Sequence, residues 1–179
     1  MTNQLQTLPV EELQHPTIVD RELLKRLQKF NLQLSRTPPK VATERLEGKD
    51  ILHVPISVIE NTLRRIYFGM YSIELLDIKL MVNEVVCTAR IRVYHPVFGC
   101  WLNYDGVGAV AVQQVSGSKV ADFMQTKLTG AIHKNAGAAY SFAIKNAAKR
   151  IGKVFGADLN RKYEDAYQPY NLDAQPLND

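Results

Sequence analysis

Apolar residues recur with a helical period in two stretches of the first third of the chain. In residues 17–35 and 56–68 they fall three or four positions apart, which places them on one face of an α-helix. Pro38 and Pro39 follow the first stretch and Gly69 follows the second, and these are residue types at which helices end. The pattern therefore predicts two amphipathic helices joined by a polar connector.

Three strand-like runs come next, at residues 71–82, 85–94 and 100–112, with short turn-forming segments between them. Runs of this length with tight connections predict an antiparallel meander. Apolar and polar residues alternate in the second run, so we expect one face of the sheet to pack on helices and the other to be polar and basic.

The turn residues set the expected register of the first hairpin. If residues 83–84 form a two-residue turn, Asp77 lies opposite Arg90 and Arg92 lies opposite Leu75. Arg90 is then expected to form a cross-strand ion pair, whereas Arg92 stays a candidate for ligand contact.

The third run contains aromatic residues and glycines, each of which could serve either the fold or the binding of a ligand. We expect Trp101 to lie in the core, as a lone Trp in a strand usually does, whereas Tyr104 could either stack a base or pack inside. Gly106 and Gly108 lack the third glycine and the helix start of a dinucleotide fingerprint. A strand bend or a close backbone contact is therefore the expected use of these glycines.

The last periodic stretch is alanine-rich and runs from about residue 134 to 154, and its second half is strongly basic. Residues 145–162 carry six basic side chains against one acid, an excess larger than the net charge of +4 of the whole chain. On a helical wheel the apolar residues take one side, which we expect to join the core, and the basic residues take the other, which we expect to face a polyanion. The basic side consists of Lys145, Lys149, Arg150 and Lys153.

This order of elements predicts an α+β fold. A helix, a three-stranded antiparallel β-meander and a long helix form a core of the β-β-β-α type, to which an N-terminal helix is added. Residues 50–162 are expected to form this core, and residues 1–49 the N-terminal helix and connector, a candidate oligomerisation arm. Residues 163–179 carry four acids and no basic residue, which predicts a flexible tail.

Composition narrows the class of protein. A chain of 179 residues with 46% hydrophobic and 22% charged residues fits one globular domain. Cys87 and Cys100 lie in apolar sequence, which predicts buried free thiols, and the histidines stand apart, so no metal site is predicted. No run reaches the roughly 18 apolar residues of a membrane span, which predicts a soluble intracellular protein.

The sequence contains no motif that predicts nucleotide hydrolysis or metal-dependent cleavage. Residues 48–49 and 152–153 are Gly-Lys pairs, but neither is followed by the Ser or Thr of a phosphate loop. The acids of the strand region are Asp77, Glu84 and Asp105, of which the first is expected in an ion pair and the second in a turn. We therefore expect no enzymatic activity and no cofactor.

Three segments carry a resemblance to a known family. They are residues 59–69, residues 105–109 (DGVGA) and above all residues 148–159 (AKRIGKVFGADL), where a basic pair is followed three residues later by another basic residue and then by aromatic-glycine. With the order of elements, they resemble the Rad fifty-two family of single-strand annealing proteins and its phage relatives of the Sak type. The resemblance covers about residues 50–162.

In that family the basic pattern lies on the helix that lines the DNA groove, so the resemblance implies phosphate contacts for its three basic residues. Where the family often has a basic residue in the helix before the meander, this chain has Ile59, and Arg64 and Arg65 are the nearby alternatives. The residues predicted to bind nucleic acid are Lys149, Arg150, Lys153, Lys145, Arg92, Arg64, Arg65 and Lys162, with Lys79 as a further candidate for a second site.

The resemblance implies a function and an assembly. The chain is expected to bind single-stranded DNA and anneal complementary strands in recombination and repair without ATP, as a ring or filament of identical subunits. A single-strand binding protein is a further expected partner, and the cytoplasm of a bacterial or phage-infected cell is the expected location. The alternative is a passive single-stranded DNA or RNA binding protein without annealing activity.

Overall fold

The computed structural model describes residues 21–45 and 51–161. Its helices and strands have the following bounds: α1 Arg21–Leu34, β1 Glu44–Arg45, β2 Leu52–His53, α2 Ile56–Ile66, β3 Tyr71–Met81, β4 Glu84–His95, β5 Cys100–Ala111, α3 Phe123–Thr126 and α4 Ala131–Lys149. Strands β3, β4 and β5 form an antiparallel sheet in that order, and β1 pairs with β2 in a separate hairpin. The predicted α+β class, with its meander, long helix and added N-terminal helix, is confirmed.

The core lies between one face of the sheet and the helices α2 and α4. Alternate residues of β4 are buried on the face toward α4, as the sequence pattern predicts. Helix α2 buries Ile59, Leu63 and Ile66 in the same core. We call the opposite face, where the remaining side chains of β3, β4 and β5 point away from α4, the open face of the sheet.

Two glycines allow α4 to lie directly on β5. A side chain at Gly106 would overlap the backbone of Ala143 and Ala147, and one at Gly108 would overlap the backbone of Ala139. The predicted close backbone contact at these glycines is confirmed. Small residues on both surfaces therefore set the distance between helix and sheet.

The predicted register of the first hairpin is wrong. The turn lies one residue earlier than predicted, at residues 82–83, and a bulge at Leu76 displaces the rest of β3 by another residue. As a result, Asp77 lies opposite Thr88 and not opposite Arg90.

The predicted extent of the last helix is also wrong, because α4 ends at Lys149 and not near residue 154. Its final turn tightens, since the amide of Ile151 donates to the carbonyl of Ala148, and the backbone of Gly152 is then extended. A side chain at Gly152 would collide with Leu34 at the end of α1. The chain therefore leaves the helix where it passes the end of α1.

The start of β5 is more exposed than predicted. Cys87 is buried, as expected, but Cys100 is exposed. Trp101 is 48% exposed because it lies on the open face, edge-on to Tyr94 at 5.6 Å between ring centroids. The prediction of Trp101 as a core residue is therefore wrong, whereas Tyr104 packs against the core.

Helix α1 was expected over residues 17–35 and ends as predicted before the two prolines. It contacts the sheet through Phe30, whose ring is edge-on to His95 at 4.8 Å. The first residues of the predicted helix, Lys162 and the acidic tail at residues 163–179 lie outside the described residues.

Candidate nucleic-acid interface

Three of the predicted basic residues lie together on the last turns of α4. Lys149 and Arg150 are exposed, and the structure gives neither a hydrogen bond nor an ion pair to any described side chain. Lys145 lies one helical turn before Lys149 and is partly buried, with its ammonium 5.6 Å from the ring centroid of Phe142. We call Lys145, Lys149 and Arg150 the helix-end cluster.

The surroundings of Lys145 act on its charge in opposite directions. Burial lowers the pKa of Lys145, the carboxylate of Glu44 raises it, and the positive charge of Lys149 lowers it by less than Glu44 raises it. The buried residues Ala147 and Ala148 fix the helix against the sheet, so these side chains cannot move apart by moving the helix. An anion beside the cluster would therefore meet Lys149 and Arg150 in fixed positions, where neither has an ion pair with a described side chain.

The hairpin formed by β1 and β2 adds two groups that the sequence did not indicate. Glu44 pairs with His53 in the hairpin, and the Oε2 of Glu44 is 3.8 Å from the Nε2 of His53. Burial lowers the pKa of His53 below its ordinary value of 6.5, and Lys145 and Lys149 lower it further, whereas Glu44 raises it. His53 therefore borders the helix-end cluster.

The side chain of Asn160 forms two hydrogen bonds with this hairpin. The amide of Asn160 accepts a hydrogen bond from the backbone N–H of Leu52 at 2.9 Å and donates one to its carbonyl at 2.8 Å. The histidines were interpreted from sequence as isolated residues, and a polar connector gives no pattern from which a pair of two-residue strands could be found. The position of His53 depends on a contact between distant parts of the chain.

Lys153 lies outside the helix, contrary to the helical wheel. It follows the end of α4, in the 3₁₀ turn Lys153–Phe155, and its Nζ is 3.1 Å from the Oδ2 of Asp158. Arg161 contacts the other oxygen of the same carboxylate at 3.2 Å. The predicted continuous basic face therefore ends at Arg150, and phosphate binding by Lys153 would compete with this ion pair.

Arg90 forms an ion pair, as predicted, but with a different residue. Its guanidinium donates two hydrogen bonds to Asp105, at 2.7 Å and 2.8 Å, across β4 and β5. These hydrogen bonds lower the pKa of Asp105, and the positive charge of Arg150 lowers it further. Asp77 instead contacts Lys79 of its own strand at 3.2 Å.

Arg92 lies on the open face in contact with an acid and an aromatic ring. It is opposite Ser72 and not opposite Leu75 as expected. Its Nη1 is 3.6 Å from the Oε1 of Glu74, and its Cζ is 5.4 Å from the ring centroid of Trp101. The cations of the open face are thus held close to carboxylates, so the face is polar without a cationic excess.

The remaining predicted residues lie on α2. Arg64 and Arg65 are exposed in its last turn, and Arg64 is 3.4 Å from the Oδ1 of Asn61. Ile59 is almost fully buried, so it serves the core at the position where the family that the sequence resembles often carries a basic residue. No contact in the described part of the chain joins these two arginines to the helix-end cluster.

Within residues 21–45 and 51–161, no helix is long and apolar enough to cross a membrane. The same part of the chain has no group of three His, Cys, Asp or Glu side chains placed to hold a metal ion. No protein-family model matches the sequence, and no curated protein matches it.

Proposed function

We propose that this chain is a single-strand annealing protein of the Rad fifty-two type, which binds single-stranded DNA through the helix-end cluster. The observation that carries the proposal is that Lys149 and Arg150, next to Lys145 at the end of a helix packed on the sheet, are exposed and form no ion pair with a described side chain. A phosphate placed beside these two groups supplies their counter-charge and releases bound counterions. A flexible single strand can follow such closely spaced cations.

The sequence motif of residues 148–159 supports the same proposal, because its basic pair is Lys149 and Arg150. The third basic residue of the motif, Lys153, would reach a strand only by leaving Asp158, so it ranks below the other two. Arg64, Arg65, Arg92 and Lys162 are proposed contacts for a second strand or for the path of the first.

Annealing in this proposal needs no hydrolysis. The duplex supplies the driving force, at about 1.4 kcal/mol for each stacked step. The protein accelerates pairing by aligning strands and by screening the repulsion between their phosphates. A homo-oligomer, as a ring or filament, would place several clusters along one strand. We propose the bacterial or phage-infected cytoplasm as its location, with a single-strand binding protein as a partner.

The test is the annealing of two complementary fluorescent oligonucleotides without ATP, over a range of salt concentrations. The variant Lys149→Ala with Arg150→Ala is compared with Arg26→Ala with Lys29→Ala, which removes the same charges from exposed positions on α1. We expect the wild type and the α1 variant to accelerate annealing. The helix-end variant should bind at least about tenfold more weakly, with a salt slope smaller by about 1.4, because each phosphate contact contributes about 0.7.

Two results would contradict this proposal in different ways. Full annealing by the helix-end variant would show that the cluster is not the binding site. Tight, salt-sensitive binding by the wild type without faster annealing would favour the alternative of a passive single-stranded DNA or RNA binding protein.

A further inference from the structure

Strand β3 exposes more large apolar side chains than either of the other two strands of the sheet. Helix α4 packs across β4 and β5 and barely touches β3. Ile78 and Leu80 lie on the side of the sheet that faces α4, opposite the buried Cys87 and Val85, yet each is 43% exposed. The apolar surface that α4 covers on β4 and β5 thus continues uncovered onto β3. We call its exposed apolar residues the β3 patch: Leu75, Ile78 and Leu80, with Leu76 at the bulge beside them.

The same strand is an edge of the sheet. Only β4 pairs with β3 among the described residues, so one side of its backbone is open to another strand. The other edge strand, β5, is partly covered, because the side-chain amide of Asn146 donates to the carbonyl of Val107 at 2.8 Å. The sheet thus has one long apolar edge, at β3, and a partly covered edge on its opposite side, at β5. This difference indicates that a further strand would add at β3.

Side-chain alternation limits which registers allow a second copy of β3 to add. Opposite residues in an antiparallel pair point to the same side of the sheet. A two-fold axis that passes between two residues would join the apolar side of one copy to the polar side of the other. An axis through one residue keeps the two apolar sides together.

Charge then selects among the remaining registers. Asp77 and Lys79 both lie on the open face, two positions apart. An axis through Asp77 or through Lys79 would place like charges opposite each other. An axis through Ile78 places Asp77 of each copy opposite Lys79 of the other and brings the two Ile78 side chains together. Only the register centred on Ile78 pairs each Asp77 with a Lys79, so charge favours it over the neighbouring registers.

We propose that two copies of this chain associate through the β3 edge, antiparallel and in the register centred on Ile78. The sheet becomes continuous across the two copies, and both α4 helices lie on one side of it, with the β3 patches in contact between them. The contact uses the same surface on both copies and closes on itself, so a ring or filament would need a second, different contact. The inference shares only self-association with the proposed function and does not require strand annealing.

The test is sedimentation of the full chain without nucleic acid. Asp77→Lys leaves lysines at positions 77 and 79, and Lys79→Asp leaves aspartates at both of these positions. Each variant alone therefore puts like charges across the contact. Each should dimerise about tenfold more weakly than the wild type, because two symmetric pairs change sign. An equimolar mixture of the two should restore association, since lysines of one copy then face aspartates of the other. The ion pair within each strand is not restored by mixing, so only the proposed contact gives this rescue.

Two further variants serve as controls for loss of association and for normal association. Ile78→Lys should leave a folded monomer, and Val120→Lys, at an exposed apolar position in the loop after β5, should associate like the wild type. Circular dichroism checks that each variant is folded. A monomeric wild type, or single variants that associate normally, or a mixture that stays dissociated, would overturn the register.

The annealing assay on the same proteins separates this inference from the proposed function. Association with rescue by mixing, but without annealing, leaves the contact standing and removes the function. Annealing by the wild type with no effect of the charge changes on association removes the contact and leaves the function.

Discussion

The end of α4 and the open face of the sheet both carry lysines and arginines, but their surroundings differ. On the open face Arg90 lies 2.7 Å from Asp105, and Arg92 lies 3.6 Å from Glu74. At the end of α4, Lys149 and Arg150 are exposed and form no ion pair with a described side chain, although Glu44 raises the pKa of the neighbouring Lys145. The number of basic residues therefore does not distinguish the two surfaces. What distinguishes the proposed binding surface is that two of its cations have no ion-pair partner among the described side chains.

The two kinds of secondary structure produce this difference. Register places residues of neighbouring strands directly opposite each other, so an acid on one strand can neutralise a base on the next. Residues four apart on a helix face the same way, so a repeat of lysines accumulates charge. The difference can be disturbed at three points: the packing that creates the two surfaces, the ion pairs on the sheet and the charge beside the cluster.

The largest effect is expected from a side chain at the contact between α4 and β5. Gly106→Val would overlap the backbone of α4, so the helix could not pack on the sheet and both surfaces would be lost. We expect a loss of at least about 3 kcal/mol in the free energy of unfolding. Urea denaturation measures it.

Gly137→Ala is the matched control, because this glycine is exposed within α4 and a methyl group there would contact nothing. It should raise the free energy of unfolding by about 0.5–1 kcal/mol. Equal stability of the two variants would mean that the glycine contact does not fix α4 on the sheet.

A smaller effect is expected when the sheet cations lose their counter-charges. Glu74→Gln with Asp105→Asn removes the acids beside Arg92 and Arg90. If pairing is what keeps these arginines from binding phosphates, the variant should bind single-stranded DNA several-fold more tightly, with a salt slope steeper by up to about 1.4. Fluorescence anisotropy in a salt series measures both quantities.

Asp122→Asn with Glu22→Gln removes two exposed acids elsewhere and serves as the control for net charge. An equal gain in affinity in the control would show that total charge, and not the pairing on the open face, limits binding.

The smallest effect concerns pH. Burial holds the pKa of His53 below 6.5, and the lysines of the cluster lower it further, so His53 is neutral at pH 7.5. Protonation adds a positive charge beside the cluster as the pH falls below 6.5, and a bound phosphate favours it. Affinity for single-stranded DNA should therefore rise about two- to threefold between pH 7.5 and 5.5, beyond any change in His53→Gln.

The same shift in pKa has the opposite sign for stability. Because the pKa of His53 is lower in the folded chain than in the unfolded one, its contribution to the free energy of unfolding is present above 6.5 and is lost as the pH falls through the folded pKa. Unfolding must therefore be measured beside binding at each pH. If His53→Gln has the same pH dependence of binding as the wild type, His53 is not part of the proposed site.

Sequence periodicity was sufficient for the elements that depend on local pattern. The meander, the inward side of α2 and the buried alternate residues of β4 follow from spacing alone. The close contact at Gly106 was one of the two uses predicted for it, a strand bend being the other, because glycine within a strand marks either.

The parts that failed depend on contacts between distant residues or on one local irregularity. The bulge at Leu76 moves every residue before it to a new partner. The alternation changes phase at this point, from apolar residues at odd positions up to Leu75 to apolar residues at even positions from Leu76, and a register drawn from the turn alone does not include that change. A helical wheel of residues 134–154 contains no information about α1. In the folded chain Gly152 lies against Leu34 at the end of α1, and α4 ends before Lys153. Lys145, Lys149 and Arg150 were identified from sequence, whereas His53 was not, because only the folded chain brings it to them.

The two hydrogen bonds of Asn160 to Leu52 join residues 108 positions apart, and this has a consequence for folding order and for shortened chains. The meander can form from neighbouring residues, but the β1–β2 hairpin can be fixed only after the last turn of the core has returned to it. A chain that stops before Asn160 should keep the sheet and α4 while losing the anchor of Glu44 and His53. The shortest fragment that holds the complete proposed binding surface is therefore expected to be longer than the shortest fragment that folds.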